Sequence, residues 1–309
     1  MDNLTHSLVG ALIGRMGLKR LTPYAMPALI VAANLPDIDS WVAPLWGEDP
    51  LAAHRGFTHG IGGLVTMPFL AATIIFAWQR FRPSKEGPTR LYGLLFVCFV
   101  GTLSHPLLDF ATGYGTRLFE PFSHRWFYGD TLFIMDPWLW IMLILGLEMS
   151  WRAERLGRNW TRPAMWAFGA MLAYIGLNAA ISLRAVAVTR PLVERVAHPQ
   201  LIEAGEVPLT FWKRRMFWRG DGVGGAGEYD PLQGLNHATL DQQIIPLRLD
   251  DPRLAAAAKR DKHVRAFLFW SRMPLVVEQG GRAFLTDQRF FDPHRQQRGG
   301  PFVIPLDNR

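Results

Sequence analysis

Four histidines and three aspartates, His6, Asp37, Asp39, His54, His59, His105 and Asp109, fall where apolar segments start or stop, and none lies mid-segment. Imidazole nitrogens and carboxylate oxygens are the donors that zinc and similar divalent ions take from proteins. His105 and Asp109 are four apart near the end of an apolar run, so on a helix they share a face and can grip one ion. The same spacing also fits a helix-end His hydrogen-bonded to its Asp; the cost of ionisable groups at a membrane edge favours a functional partner. Asp37 and Asp39, in Asn34-Leu-Pro-Asp-Ile-Asp39, point to one side if the backbone is extended, and two such carboxylates repel unless a cation lies between them. Either could instead cap a following helix.

His54 and His59 flank an Arg-Gly turn, and their spacing of five suits a loop-to-helix junction better than one helical face. His6 begins the first helix, where an ordinary helix-end role is equally in keeping. Seven donors exceed one tetrahedral zinc site, so one or two ions are expected, with carboxylates able to bridge. Arg55, between the two histidines, is suited to hold a phosphate or carboxylate, or to pair with a nearby Asp. Residues 109–126 add Thr112, Tyr114, Arg117, Glu120 and His124, with Arg117 a candidate to stabilise developing negative charge or to anchor at the membrane surface. Asp130 and Asp136 bracket the next apolar run, and Asp136-Pro137 reads as a helix start.

The elements that must position these groups are apolar helices. The chain has 309 residues, 49% hydrophobic, with 12 Trp and 20 Phe, a composition too apolar for a typical soluble protein of this length. Residues 60–79 and 163–183 carry no charge, and each matches the ~20 residues needed to cross a hydrocarbon core. Residues 91–108 and 131–147 can span if His105 and Asp136 sit near an end. Residues 7–14 and 23–36 are shorter and split by Arg15, Lys19 and Arg20, which predicts a helical hairpin packed against the others. Asp2 and His6 replace the basic region of a signal peptide, so none is expected. Cys98 lies alone in an apolar run, a packing residue.

The net charge of +7 sits in short loops beside apolar helices, which points to membrane orientation and away from nucleic acid. Loops 80–90 and 151–162 carry four basic residues each against one Glu, and the positive-inside rule puts both in the cytoplasm. Alternation through the helices then carries the seven ligands and everything after about residue 184 to the periplasmic face of a bacterial inner membrane. The predicted architecture is mainly α: a multi-pass helical membrane bundle over 1–190, with a small β-containing soluble domain over 191–309. In that domain FLFWSRMPLVVEQ and RAFLTDQRFF read as two strands joined by Gly280-Gly281. The aromatic and basic stretch Trp212–Arg219 reads either as a membrane-surface patch or as an amphipathic strand.

Asp2-x-x-Thr5-His6, LPDID at 35–39, HRGFTH at 54–59, SHPLLDFATGYGTRLFEPFS at 104–123 and DTLFIMDP at 130–137, in this order, resemble the YdjM-like family of predicted membrane-bound metal-dependent hydrolases. More distantly, the His105-x-x-x-Asp109 element among apolar helices is similar to the zinc-dependent phospholipase C and P1 nuclease superfamily. That likeness implies phosphoester hydrolysis at a multi-zinc site, with His6, Asp37, His54 and His59 as further counterparts. A second His-x-x-x-Asp or Glu helix of that pattern is absent, His124 being followed by Tyr128. The expected function is a metal-dependent hydrolase acting on a phosphoester, including a lipid headgroup, with Asp39 or Asp130 as general base and Arg55 or Arg117 on the phosphoryl oxygens. The alternatives are a proton- or ion-coupled transporter, for which Gly62, Gly63 and Pro68 would mark a broken helix, and a metal-stabilised structural membrane protein.

Overall fold

The computed structural model of the protein describes residues 1–291 and 302–307. It divides into two compact units, Met1–Val42 with Ala53–Ala179, and Ala43–Ala52 with Ala180–Arg309. The division at 179/180 lies inside one helix, Thr161–Val193, as does residue 190, and ten residues of the N-terminal half join the second unit.

In the first unit, α1 (Asn3–Arg15) and α2 (Ala25–Asn34) form the predicted helical hairpin. They are followed by the one-turn helices α3 (Asp39–Val42) and α4 (Pro50–Ala53), then by α5 (Ile61–Phe81), α6 (Leu91–Phe110), α7 (Pro137–Arg155) and α8 (Thr161–Val193). Small residues let three of these approach closely. A methyl group on Gly101 of α6 would stand 2.8 Å from the Leu29 carbonyl oxygen and 2.9 Å from Ala32 Cβ, and one on Gly10 of α1 would stand 3.0 Å from the same oxygen. Leu12 of α1, Leu29, Ala32 and Ala33 of α2, and Val97 and Cys98 of α6 are fully buried. Where such helices lie in lipid, the close packing that small residues allow holds the seam between them, since lipid tails are as apolar as the side chains themselves. Among the described residues, three helices, α5, α6 and α8, are long and apolar enough to cross a membrane.

The span expected over 131–147 is not formed as such. Asp136 takes the N-cap position, its carboxylate accepting from the Leu139 N–H at 3.0 Å, and Pro137 occupies the first turn, so the helix cannot start earlier. It then runs past its apolar stretch into Glu148, Arg152, Glu154 and Arg155, and is not among the three candidate spans.

Among its described residues the second unit holds two antiparallel sheets. The first is a four-stranded meander of β1 (Leu201–Glu206), β2 (Arg214–Gly220), β3 (Val223–Tyr229) and β4 (Ala238–Pro246) in that order. Within β2 alternate residues Arg214, Met216 and Trp218 are buried, so this stretch is an amphipathic strand, and Met216 and Trp218 pack with Ala185 and Val193 of α8. After α9 (Pro252–Arg260) and α10 (Lys262–Trp270) comes a sheet of β5 (Pro274–Gln279), β6 (Arg282–Asp287) and β7 (Val303–Pro305). The predicted hairpin is present, with Gly280 and Gly281 both at positive φ, 57° and 75°. Its first arm is shorter than expected: Asp261 caps α10 by accepting from the His263 N–H at 2.8 Å. Phe267–Trp270 is thereby drawn into the helix, with Val264, Phe267 and Trp270 buried on one face.

Candidate metal centre

Two local features aim the first ligand. Asp2 caps α1, its carboxylate accepting from the Thr5 N–H at 3.0 Å and the Thr5 hydroxyl at 2.6 Å, while Trp140 Nε1 donates to that hydroxyl at 2.8 Å. His6 thus enters the first turn of α1, fully buried, its ring stacked 3.8 Å from that of His105. Neither His6 nitrogen has a well-formed hydrogen bond; the nearest carboxylate oxygen, Asp109 Oδ1, is 3.4 Å away. The Met1 amino group donates to the same oxygen.

The α2–α6 seam orients His105. Its Nδ1 lies 2.6 Å from the Ala33 carbonyl oxygen, which can only accept, so Nδ1 carries the proton and Nε2 presents a lone pair. That Nε2 faces His59 Nε2 at 3.0 Å, Asp37 Oδ1 at 3.3 Å and Asp109 Oδ2 at 3.5 Å. His59 Nε2 is in turn 3.5 Å from Asp37 Oδ1 and 3.2 Å from Asp109 Oδ2.

Asp37 and Asp39 do not share a side. Leu35–Ile38 is a turn of 3-10 helix with Pro36 near its start, and Asp39 opens α3, so residues two apart point in different directions where an extended chain would align them. Asp37 reaches the Nε2 side of His59, whereas Asp39 Oδ2 lies 3.3 Å from its Nδ1. Both oxygens of Asp39 are engaged. Oδ1 lies 2.8 Å from His54 Nδ1; Oδ2 accepts from the Thr58 hydroxyl at 2.7 Å and the Arg55 N–H at 3.1 Å.

Arg55 holds φ at 59°, a left-handed conformation unusual for a long side chain. Its buried guanidinium donates to the Thr112 hydroxyl at 3.0 Å and the Gly115 carbonyl at 3.2 Å, and stands 3.4 Å from Asp109 Oδ1, with the Tyr114 ring 5.6 Å away.

Electrostatics follow from this crowding. Burial pushes His6 down to about 3, helped by His105. For His59, burial works against the charged form, but Asp109, Asp37 and Asp39 outweigh it and raise the imidazole to about 10. Burial would also raise Asp37 and Asp39; contacts with His105 and His59 for Asp37, and with His54 and His59 for Asp39, hold both well below the ordinary carboxylate range.

Two donor groups result. Asp37, His59, His105 and Asp109 bring four ligand atoms within 4.8 Å of one another, and Asp39, His54 and His59 do the same with three. They differ in kind. In the second, a hydroxyl, an amide and two Nδ1 atoms converge on Asp39, so protons already fill the space. In the first, lone pairs face lone pairs, and a cation or an added proton must lie among them. The residues therefore fit one divalent ion at the first group, with Asp39 behind His59 fixing its tautomer.

The structure brings all seven predicted ligands to this neighbourhood, with Arg55 beside them. Arg117 stands beside this segment: its main-chain N–H donates to the Arg55 carbonyl at 3.0 Å, and its guanidinium donates to Glu120 at 2.7 Å and to the Ala53 carbonyl at 3.2 Å; Glu120 also lies 2.7 Å from His124 Nδ1. That cluster braces the loop. Asp130, at φ 50°, stands on the segment after the Thr116 to Phe127 bridge and belongs to neither donor group. The Ala33 carbonyl and Thr58 were not foreseen: a main-chain oxygen carries no side-chain signal, and Thr58 could have been noticed only as the neighbour of His59.

The Bacillus subtilis (strain 168) protein called "Uncharacterized protein YfhP" is 20% identical over 281 residues, covering 88% of this chain and 80% of the relative. No solved structure matches. The model of the family described as YdjM inner membrane protein matches residues 1–185, the whole segment that carries the donors, and the chain belongs to that family.

Proposed function

We infer that the chain is a membrane-bound metal-dependent hydrolase acting on a phosphoester at the outer face of the membrane, a lipid headgroup being the substrate closest to hand. The observation that carries this reading is the set of facing lone pairs on His59, His105, Asp37 and Asp109, beside a buried guanidinium. A divalent ion held there supplies a Lewis acid and a water whose pKa falls towards ~7. Asp39 orients His59 through Nδ1 and anchors His54, whose side chain is about one-third exposed. His54 is thus placed to take and return a proton, a role that suits it better than Asp39, whose oxygens are already engaged. Arg55 holds phosphoryl oxygens opposite the carboxylates. Zinc and the phosphoester bond rest on the likeness of the His105 and Asp109 element to the phospholipase C and P1 nuclease superfamily. The outer face rests on the basic loop at 80–90, which joins α5 and α6 at the end away from the donor residues.

One observation favours a structural ion instead: His6, His59, His105 and Asp109 are all buried to within 1% exposure, leaving Asp37 as the open edge of the first group. Elemental analysis of detergent-purified protein separates the outcomes. Near one equivalent of divalent metal in the wild type, lost in His105→Ala/Asp109→Ala, followed by turnover in a phosphoester and phospholipid screen, supports the hydrolase. Metal without turnover supports the structural ion, and no metal after reconstitution with zinc, manganese and magnesium overturns both.

A further inference from the structure

The end of the bundle away from the metal centre carries a second built feature. α1 and α7 run side by side: near their starts Trp140 bonds Thr5, next to His6, and at their far ends Arg15 Nε donates to Ser150 at 2.9 Å and Arg15 and Lys19 pair with Glu154. Ser150 Oγ also donates to the Trp160 carbonyl at 2.6 Å, which ties α7 to the start of α8. They touch where Gly146 meets Ala167, so closely that a methyl group on Gly146 would stand 2.2 Å from Ala167 Cβ. Along that contact, from Met142 and Ala170 to the connecting loop, they flank a groove of about 650 Å³, within the ~300–1,000 Å³ of typical small-molecule sites.

The chemistry of this groove is split along its length. Leu145, Met149 and Trp166 line its body and are 56%, 58% and 79% exposed, apolar surface on two helices of a membrane protein. Arg152, Arg158 and Arg162 line its loop end. Arg152 pairs with Glu148 at 2.6 Å; Arg158 and Arg162 have no ion-pair partner among the described residues. An acyl chain fits the body, and guanidinium groups at the headgroup level fit a phosphodiester, the arrangement by which basic pockets between membrane helices select anionic lipids.

We propose that the groove between α7 and α8 binds one anionic phospholipid, its acyl chain along Leu145, Met149 and Trp166 and its phosphate held by Arg158 and Arg162, in the leaflet opposite the metal centre. This site is separate from the hydrolytic reading and stands without it.

The test is native mass spectrometry of the full-length protein in mild detergent, titrated with phosphatidylglycerol or with phosphatidylcholine of identical chains. The wild type should retain one phosphatidylglycerol in preference to phosphatidylcholine, by on the order of fivefold for each engaged arginine. Arg158→Gln/Arg162→Gln should bring the two lipids level, and Ala153→Trp, which fills the groove, should reduce both. Equal retention of the two lipids by the wild type, a comparison that needs no variant, overturns the proposal. An unchanged preference in the double variant overturns it too, as does displacement of phosphatidylglycerol by inorganic phosphate alone, which would mark an anion site without the groove.

Discussion

His59 and His105 meet nitrogen to nitrogen, their Nε2 atoms 3.0 Å apart, although they belong to a short turn and a long helix separated by 46 residues. Each ring has its other nitrogen against an oxygen, Ala33 O for His105 and Asp39 Oδ2 for His59. His105 Nε2 therefore presents a lone pair, and His59 Nε2 presents one towards the same point once its added proton leaves, so a cation can take that proton's place.

The carboxylate behind His59 should matter nearly as much as a ligand. Asp39→Asn is expected to weaken metal affinity by ~10–100-fold while leaving the stoichiometry near one. Competition titration against a chelating indicator measures this. An unchanged affinity would remove Asp39 from the orienting role, and two equivalents in the wild type would make the second donor group a site in its own right.

Metal uptake should depend on pH through His59. With the metal-free imidazole raised to about 10, the empty site holds a proton at neutral pH that a bound ion must displace. Affinity should thus rise by up to tenfold per pH unit, flattening as pH approaches 10, and about one proton should be released per ion bound. Calorimetry at one pH in two buffers of different ionisation enthalpy counts that proton.

Arg55→Ala removes the guanidinium that faces buried Asp109 and two further acceptors. Stranding a buried charge costs ~3–5 kcal/mol, and the Met1 amino group, which still pairs with Asp109, leaves a fraction of that cost. The drop in unfolding midpoint should be larger in metal-stripped protein than in loaded protein, because the ion also neutralises Asp109. Thermal melts with and without a chelator give both values.

The α2–α6 seam leads from packing to chemistry. Gly101→Ala should destabilise the protein by ~1–3 kcal/mol, since its methyl group would stand 2.8 Å from the Leu29 carbonyl. Moving α6 outwards lengthens the 2.6 Å contact between His105 and Ala33, so metal affinity should fall as well. A variant with lower stability and unchanged affinity would separate the seam from the site.

The sequence by itself determined the apolar runs, the helical hairpin, the Gly280-Gly281 turn and the residue types of the centre. These follow from local periodicity and from the cost of ionisable groups among apolar helices, both readable within a few residues. Tertiary structure decided the rest. Whether Asp37 and Asp39 point together or apart depends on a 3-10 turn in place of an extended chain, and the turn puts them on opposite edges of His59. Arg117 looked as suitable an anion holder as Arg55, but Glu120 and Ala53 O claim its guanidinium. Residues 43–52 lie in sequence between Asp39 and His54 yet join the second unit, where Asp49 Oδ2 is 2.7 Å from His263 Nδ1. A pairing across 214 residues has no local signature, because side-chain partners are chosen by where packed helices bring them and not by propensity along the chain.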